Sequence, residues 1–142
     1  MPIQDNVALG AFLLRAALGV MWISHGLLKV LVFGLPGTAA FFAGAGFWPW
    51  LAYPVVAAEL LGGSLILLGI GDRIVSLALL PILAGAALTH LPNGWVFSAP
   101  GGGWEYPAFL ALASLVHGLL GDGAWAFRPA IFSLPVSRPS YS

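Results

Sequence analysis

The sequence predicts an all-α fold: an integral membrane four-helix bundle with a short interfacial helix between helices 1 and 2. Two observations carry this. Hydrophobic residues make up 60% of the 142 residues and charged residues 7%, against roughly 25% charged in an ordinary soluble domain, and the mean hydropathy is +0.97. A water-soluble globule is excluded. The few charges, with Pro and Gly, also divide the chain into four apolar blocks at about 7–33, 51–70, 74–91 and 105–121. A helix rises about 1.5 Å per residue through a hydrocarbon core about 30 Å thick, so ~20 residues span it. The first two blocks meet that length. The last two are shorter, but leaving either outside the bilayer would expose a very apolar segment to water.

The length suits one domain, read as a membrane domain over 1–126 and a tail over 127–142. The first block follows a Met1–Gly10 stretch that contains Asp5 and no Lys or Arg. A secretory signal begins with a basic region, so this block is expected to stay in the mature chain. Between the first and second blocks, Ala39, Ala40, Phe41, Phe42, Gly44 and Gly46 lie between prolines, a pattern better suited to a short helix lying in the interface than to an open loop. Gly71-Asp72-Arg73 makes the turn into the third block. Gly101-Gly102-Gly103 precedes the fourth block as a flexible connector, lacking the GK[ST] and strand context of a phosphate loop. Pro129, Pro135 and Pro139 keep the tail from forming more than a turn or two of helix.

Four spans place both termini and the Gly71-Asp72-Arg73 turn at one end of the bundle, end A, and the 34–50 and 92–104 loops at the other, end B. Arg73, Arg128 and Arg138 are all at end A, and the end B loops contain no Lys or Arg. The positive-inside rule then puts end A in the cytoplasm, giving a multi-pass inner (plasma) membrane protein of a bacterium with cytoplasmic termini. End B carries Phe41, Phe42, Phe47, Trp48, Trp50, Tyr53, Trp95, Phe97, Trp104 and Tyr106, which suits an aromatic belt at headgroup depth.

The five Lys and Arg balance the five Asp and Glu. Nucleic acid, whose binding needs a basic footprint, is excluded as a partner. With no Cys, thiolate chemistry, Cys-held zinc and iron–sulfur clusters are excluded together.

A charge in hydrocarbon costs about 2.5–3.5 kcal/mol or more, so Arg15, His25, Lys29, Glu59 and His117 each need a partner or a wet cavity. Arg15, Trp22 and Lys29, spaced by seven, share one stripe of helix 1 with Gly26 beside them and His25 on its flank. Counted from end B, Lys29 lies about 6 Å deep and His25 and Glu59 about 12 Å, so the three can meet. His90 closes helix 3 and Glu105 opens helix 4 at the same end. The candidate pocket is therefore His25, Lys29, Glu59, His90 and Glu105. Two readings stand side by side: a structural Lys29–Glu59 ion pair, or the wall of a pocket that handles a quinone carbonyl, an anion or a proton. His117 is expected to hydrogen-bond a neighbouring helix. No metal is expected, since no HxxE or HxxxH spacing links the His and Glu residues. No serine nucleophile arrangement is visible. Gly19, Gly26, Gly62 and Gly63 read as close-packing positions.

Arg15 with Gly19, His25-Gly26 and Lys29, then Glu59-Leu60-Leu61-Gly62-Gly63 leading into Leu67-Leu68-Gly69, then Arg73, His90, Gly103 and Glu105, in that order and spacing, resemble the DoxX family of small four-helix bacterial membrane proteins over about residues 8–122. The long Trp-rich 92–104 loop and the tail after Asp122 depart from the pattern. The resemblance implies a membrane subunit of an oxidoreductase complex, in a family whose members accompany thiosulfate:quinone oxidoreductase and oxidative-stress modules. Two functions of different class follow: a subunit contacting quinone through the end B pocket, with no covalently bound cofactor, or a non-catalytic membrane anchor or assembly subunit. The partners implied are the lipid bilayer and other protein subunits of a redox complex. A homo-oligomer is compatible with the sequence.

Overall fold

A computed structural model describes residues 3–129, and these are helical and contain no strand. Helix α1 (Ile3–Leu31) is one unbroken run of 29 residues with Asp5 in its first turn and Lys29 in its last, charges whose signs suit the helix dipole. Its buried residues, Ala11, Arg15, Leu18, Gly19, Trp22 and Gly26, recur every three or four positions and form one stripe. After a tight turn, α2 (Gly34–Gly44) is the short helix expected between the first two blocks. Thr38 fixes it to α1: its hydroxyl donates to the carbonyls of Lys29 at 3.1 Å and Gly34 at 3.0 Å.

A 3₁₀ turn over Pro49–Leu51 leads into α3 (Ala52–Leu68), whose buried stripe is Ala52, Val56, Glu59, Gly62, Gly63 and Ile66. Helices α1 and α3 form the most extensive pair in the bundle, and glycine sets their separation. A Cβ on Gly63 would sit 2.9 Å from the Ile23 backbone nitrogen, and one on Gly19 would sit 2.7 Å from the Leu67 Cβ. Only a missing side chain lets the two backbones approach this closely.

The third block is divided where the sequence suggested one span. Helix α4 (Asp72–Ala78) and helix α5 (Leu80–His90) meet at Leu79. Pro81 is the physical reason: it has no N–H for the Leu77 carbonyl and its ring crowds the preceding turn. Ile82 N–H instead bonds the Leu79 carbonyl at 3.0 Å, a tighter step. A 3₁₀ turn over Leu91–Asn93 follows, then α6 (Glu105–Leu120), which buries Pro107, Leu110, Ser114, His117 and Gly118 on one stripe.

Three stretches are long and apolar enough to cross a membrane, Ile3–Leu31, Pro49–Leu68 and Asp72–Asn93, and α6 is apolar but shorter at 16 residues. The core joins Leu18, Trp22, Ile66, Leu79, Leu83 and Leu110. Leu61, Ile74, Phe109 and Leu119 point outward while Arg15, Glu59, Asp72 and His117 are enclosed. That inverts the distribution of a soluble protein and matches an apolar solvent.

Beyond α6, Gly121 at φ 86° turns the chain back beneath the bundle. Ala124 N–H bonds the Ala8 carbonyl at 3.0 Å and Phe127 N–H the Leu68 carbonyl at 2.9 Å. Residues 130–142, most of the predicted tail and Arg138 with it, lie outside the described residues.

Candidate functional site

Two polar clusters are buried in the bundle, one toward each end. At end B, Lys29 and Glu59 meet across the α1–α3 crossing: the ammonium donates to both carboxylate oxygens, at 2.8 and 2.9 Å. Their depths counted along the sequence differ by about 6 Å, a gap that the long Lys29 side chain bridges. Gly26 lets the helices close up here, since a Cβ at that position would sit 2.7 Å from Leu60 Cδ2, next to Glu59. The Glu59 side chain is 4% exposed and that of Lys29 21%. The carboxylate is sealed, and the Lys29 side chain is partly exposed.

His25 sits one turn before Lys29, with its Nδ1 2.9 Å from the Met21 carbonyl. That bond requires the proton on Nδ1 and leaves Nε2 without a partner among the described residues. The ring stacks on Tyr106 with centroids 6.0 Å apart and planes 25° from parallel. Tyr106 and Glu105 in turn line an open groove of about 490 Å³ with Trp95, Phe97, Phe109 and Leu112. The groove thus runs along α6 to the flank of His25.

The other two predicted members have local partners. Glu105 accepts the Phe97 N–H at 2.9 Å and so clasps the Trp-rich loop. His90 Nδ1 bonds the Ala86 carbonyl at 2.7 Å, and its ring lies beside Gly102. The loop is also closed by edge-to-face packing of Trp95 on Trp104 at 4.4 Å.

At end A the structure corrects one expectation. No serine arrangement was visible in the sequence, yet Ser76, His117 and Asp72 are hydrogen-bonded in line. Ser76 Oγ lies 2.7 Å from His117 Nδ1, and His117 Nε2 lies 3.2 Å from Asp72 Oδ2. All three are enclosed. The residue types are those of a hydrolase triad, but the cavity at this end is lined by Asp72 and Asp122 and not by Ser76, so an acyl substrate has no route to the hydroxyl. His117 bonds a neighbouring helix, as its apolar setting suggested. The missed signal was Asp72 and Ser76 at i, i+4, the spacing that puts two polar residues on one helix face.

Asp122 and Asp72 line the same cavity at this end. Partial burial pushes the Asp122 carboxyl above the usual carboxylate range, the neighbouring Asp72 carboxylate pushes the same way, and Arg128 at 2.9 Å opposes them. Arg15 is 1% exposed, which decides that it turns inward and does not snorkel. Its Nη1 donates to the Asp122 carbonyl at 2.6 Å and its Nη2 to the Trp125 carbonyl at 3.3 Å. Arg73 binds the Gly118 and Leu119 carbonyls and closes the end of α6. Among the described residues no three His, Asp or Glu are arranged to hold a metal ion.

The DoxX family model matches residues 10–92, more than half of the chain and the stretch carrying His25, Lys29, Glu59 and His90. A protein of Bacillus subtilis (strain 168) named "Putative oxidoreductase CatD" is 34% identical over 130 residues, covering 91% of this chain and 92% of that protein. No solved structure matches the chain. With the enclosed Lys29–Glu59 pair, the apolar exterior and the family match in agreement, this chain is a membrane protein of the DoxX family.

Proposed function

We propose that this chain is a membrane subunit of an oxidoreductase complex and that its end B site receives a quinone-type headgroup. In this reading it crosses a bacterial inner membrane four times, with both termini in the cytoplasm. The observation that carries the site is the partly exposed Lys29 side chain and the Nε2 of His25, which has no partner among the described residues, set beside an aromatic groove that ends on Tyr106. A quinone carbonyl would accept a hydrogen bond from Lys29. His25 Nε2 would meet the second polar edge, and the groove would take the apolar substituents. Two electrons from a partner subunit and two protons convert the quinone to the quinol. The Lys29 ammonium can give one of those protons to the ring oxygen, and the second proton, with the one that recharges Lys29, comes from water, while Glu59 holds the ammonium in place. The relative's name, with its reference to an oxidoreductase, supports the redox half of this reading.

The anchor reading is favoured by one observation, the complete mutual satisfaction of Lys29 and Glu59. The two are separated by titrating purified protein in nanodiscs with a short-chain quinone and assaying quinone reduction in the intact complex, for wild type and Glu59→Gln at equal folded amounts. A site predicts weaker binding and slower turnover in the variant. Undetectable quinone binding in both proteins establishes the anchor.

A further inference from the structure

We propose that Asp122, Asp72, His117 and Ser76 form a proton path leading from the surface at end A into the bundle, an assignment independent of the quinone reading. The series is contiguous. Asp122 and Asp72 face one cavity, Asp72 Oδ2 lies 3.2 Å from His117 Nε2, and His117 Nδ1 lies 2.7 Å from Ser76 Oγ. Access is graded along the same line. Asp122 and Asp72 line a cavity of about 200 Å³ that opens at end A beside Arg73 and Arg128. The Asp122 side chain is 25% exposed, while His117 and Ser76 are completely enclosed.

The chemistry suits proton passage. Two neighbouring carboxyl groups favour holding one proton between them, and the cavity keeps it exchangeable with water at the open end. Imidazole binds a proton at one nitrogen and releases one from the other. A proton moving from the acid pair to His117 Nε2 gives an imidazolium that donates to both Asp72 and Ser76. Return of the Nε2 proton by the same route restores the neutral ring, so the series exchanges protons with water at end A and no charge accumulates. The surrounding cations do not block this. Arg15 and Arg73 are committed to backbone carbonyls, and Arg128 binds Asp122 from its exposed side. Polar character continues inward on α6, where Ser114, one turn from His117 on the buried stripe, has a fully enclosed Oγ with no partner among the described residues.

The test is exchange of the His117 ring N–H with water, measured by NMR on the full chain labelled with ¹⁵N-histidine in nanodiscs, and assigned by loss of the signal in His117→Gln. We expect ring exchange far faster than that of the enclosed α6 amides, which open only with the helix, and slowed about tenfold or more in Asp122→Asn. Glu105→Gln, the same carboxylate-to-amide change at the other end of the bundle, should exchange as wild type. Ring exchange as slow as the α6 amides in the wild type overturns the path without any variant. Equal rates in folded Asp122→Asn and wild type overturn the role of the acid pair.

Discussion

The Lys29 ammonium holds both oxygens of Glu59, at 2.8 and 2.9 Å, across a helix crossing where Gly63 lets the backbones touch. Two charges taken out of water together are tolerable, and one alone is not. Glu59→Gln should therefore lower stability by about 3–5 kcal/mol, the usual cost of removing one member of a buried pair. The double variant Lys29→Met, Glu59→Leu should recover most of that loss. Thermal unfolding of the three variants in one detergent checks both statements.

Gly63→Val should loosen the α1–α3 pair. The new side chain meets the Trp22 Cβ and the Ile23 backbone within 3 Å, and backbone cannot swing aside as a flexible side chain can. Overpacking of this kind costs about 1–3 kcal/mol. Gly10→Ala, at a position with nothing within 4 Å, is the matched control and should be neutral or slightly stabilising. Melting temperatures of the two variants, measured side by side, make the comparison.

Arg15→Met should free the segment that follows α6. Its two bonds to the Asp122 and Trp125 carbonyls are charge-assisted and largely enclosed, and hydrogen bonds to charged groups contribute about 1.5–3 kcal/mol each. Amide hydrogen exchange reads the effect directly. The Ala124 and Phe127 N–H groups, which bond the Ala8 and Leu68 carbonyls, should lose protection while the core of α6 keeps it.

The upward shift of Asp122 has a sign that can be checked. A carboxyl with a raised folded-state value binds its proton more tightly when folded, so its contribution is largest in acid. That contribution is lost as pH rises from the ordinary carboxylate value of 3.8 toward the raised one. Asp122→Asn should flatten this part of the stability profile. Chemical denaturation of wild type and variant across pH 3–7 tests it, and parallel curves would show that Asp122 titrates normally.

The Lys29–Glu59 contact was legible in sequence because depth along a helix is arithmetic: the two lie within about 6 Å of the same depth, a lysine side chain reaches that far, and neither charge can face lipid. The helical blocks were legible for the same reason, with few polar residues inside them. The kink at Leu79 escaped because Pro81 lies in an otherwise continuous apolar run, where hydropathy does not register a missing N–H. The Ser76–His117–Asp72 series escaped because it joins residues 41 and 45 positions apart. Asp72 also read as part of a turn, when it is the first residue of α4. Thr38 gave no signal either, since its importance lies in reaching back to the last turn of α1.

Photoaffinity labelling with an azidoquinone, mapped by mass spectrometry on the purified chain in nanodiscs, tests the central claim most directly. The account predicts labelling confined to the segments around His25–Lys29 and Trp104–Leu112, suppressed by excess unlabelled quinone and weakened by Lys29→Met. Labelling spread over the lipid-facing surfaces, undiminished by excess quinone, would contradict it.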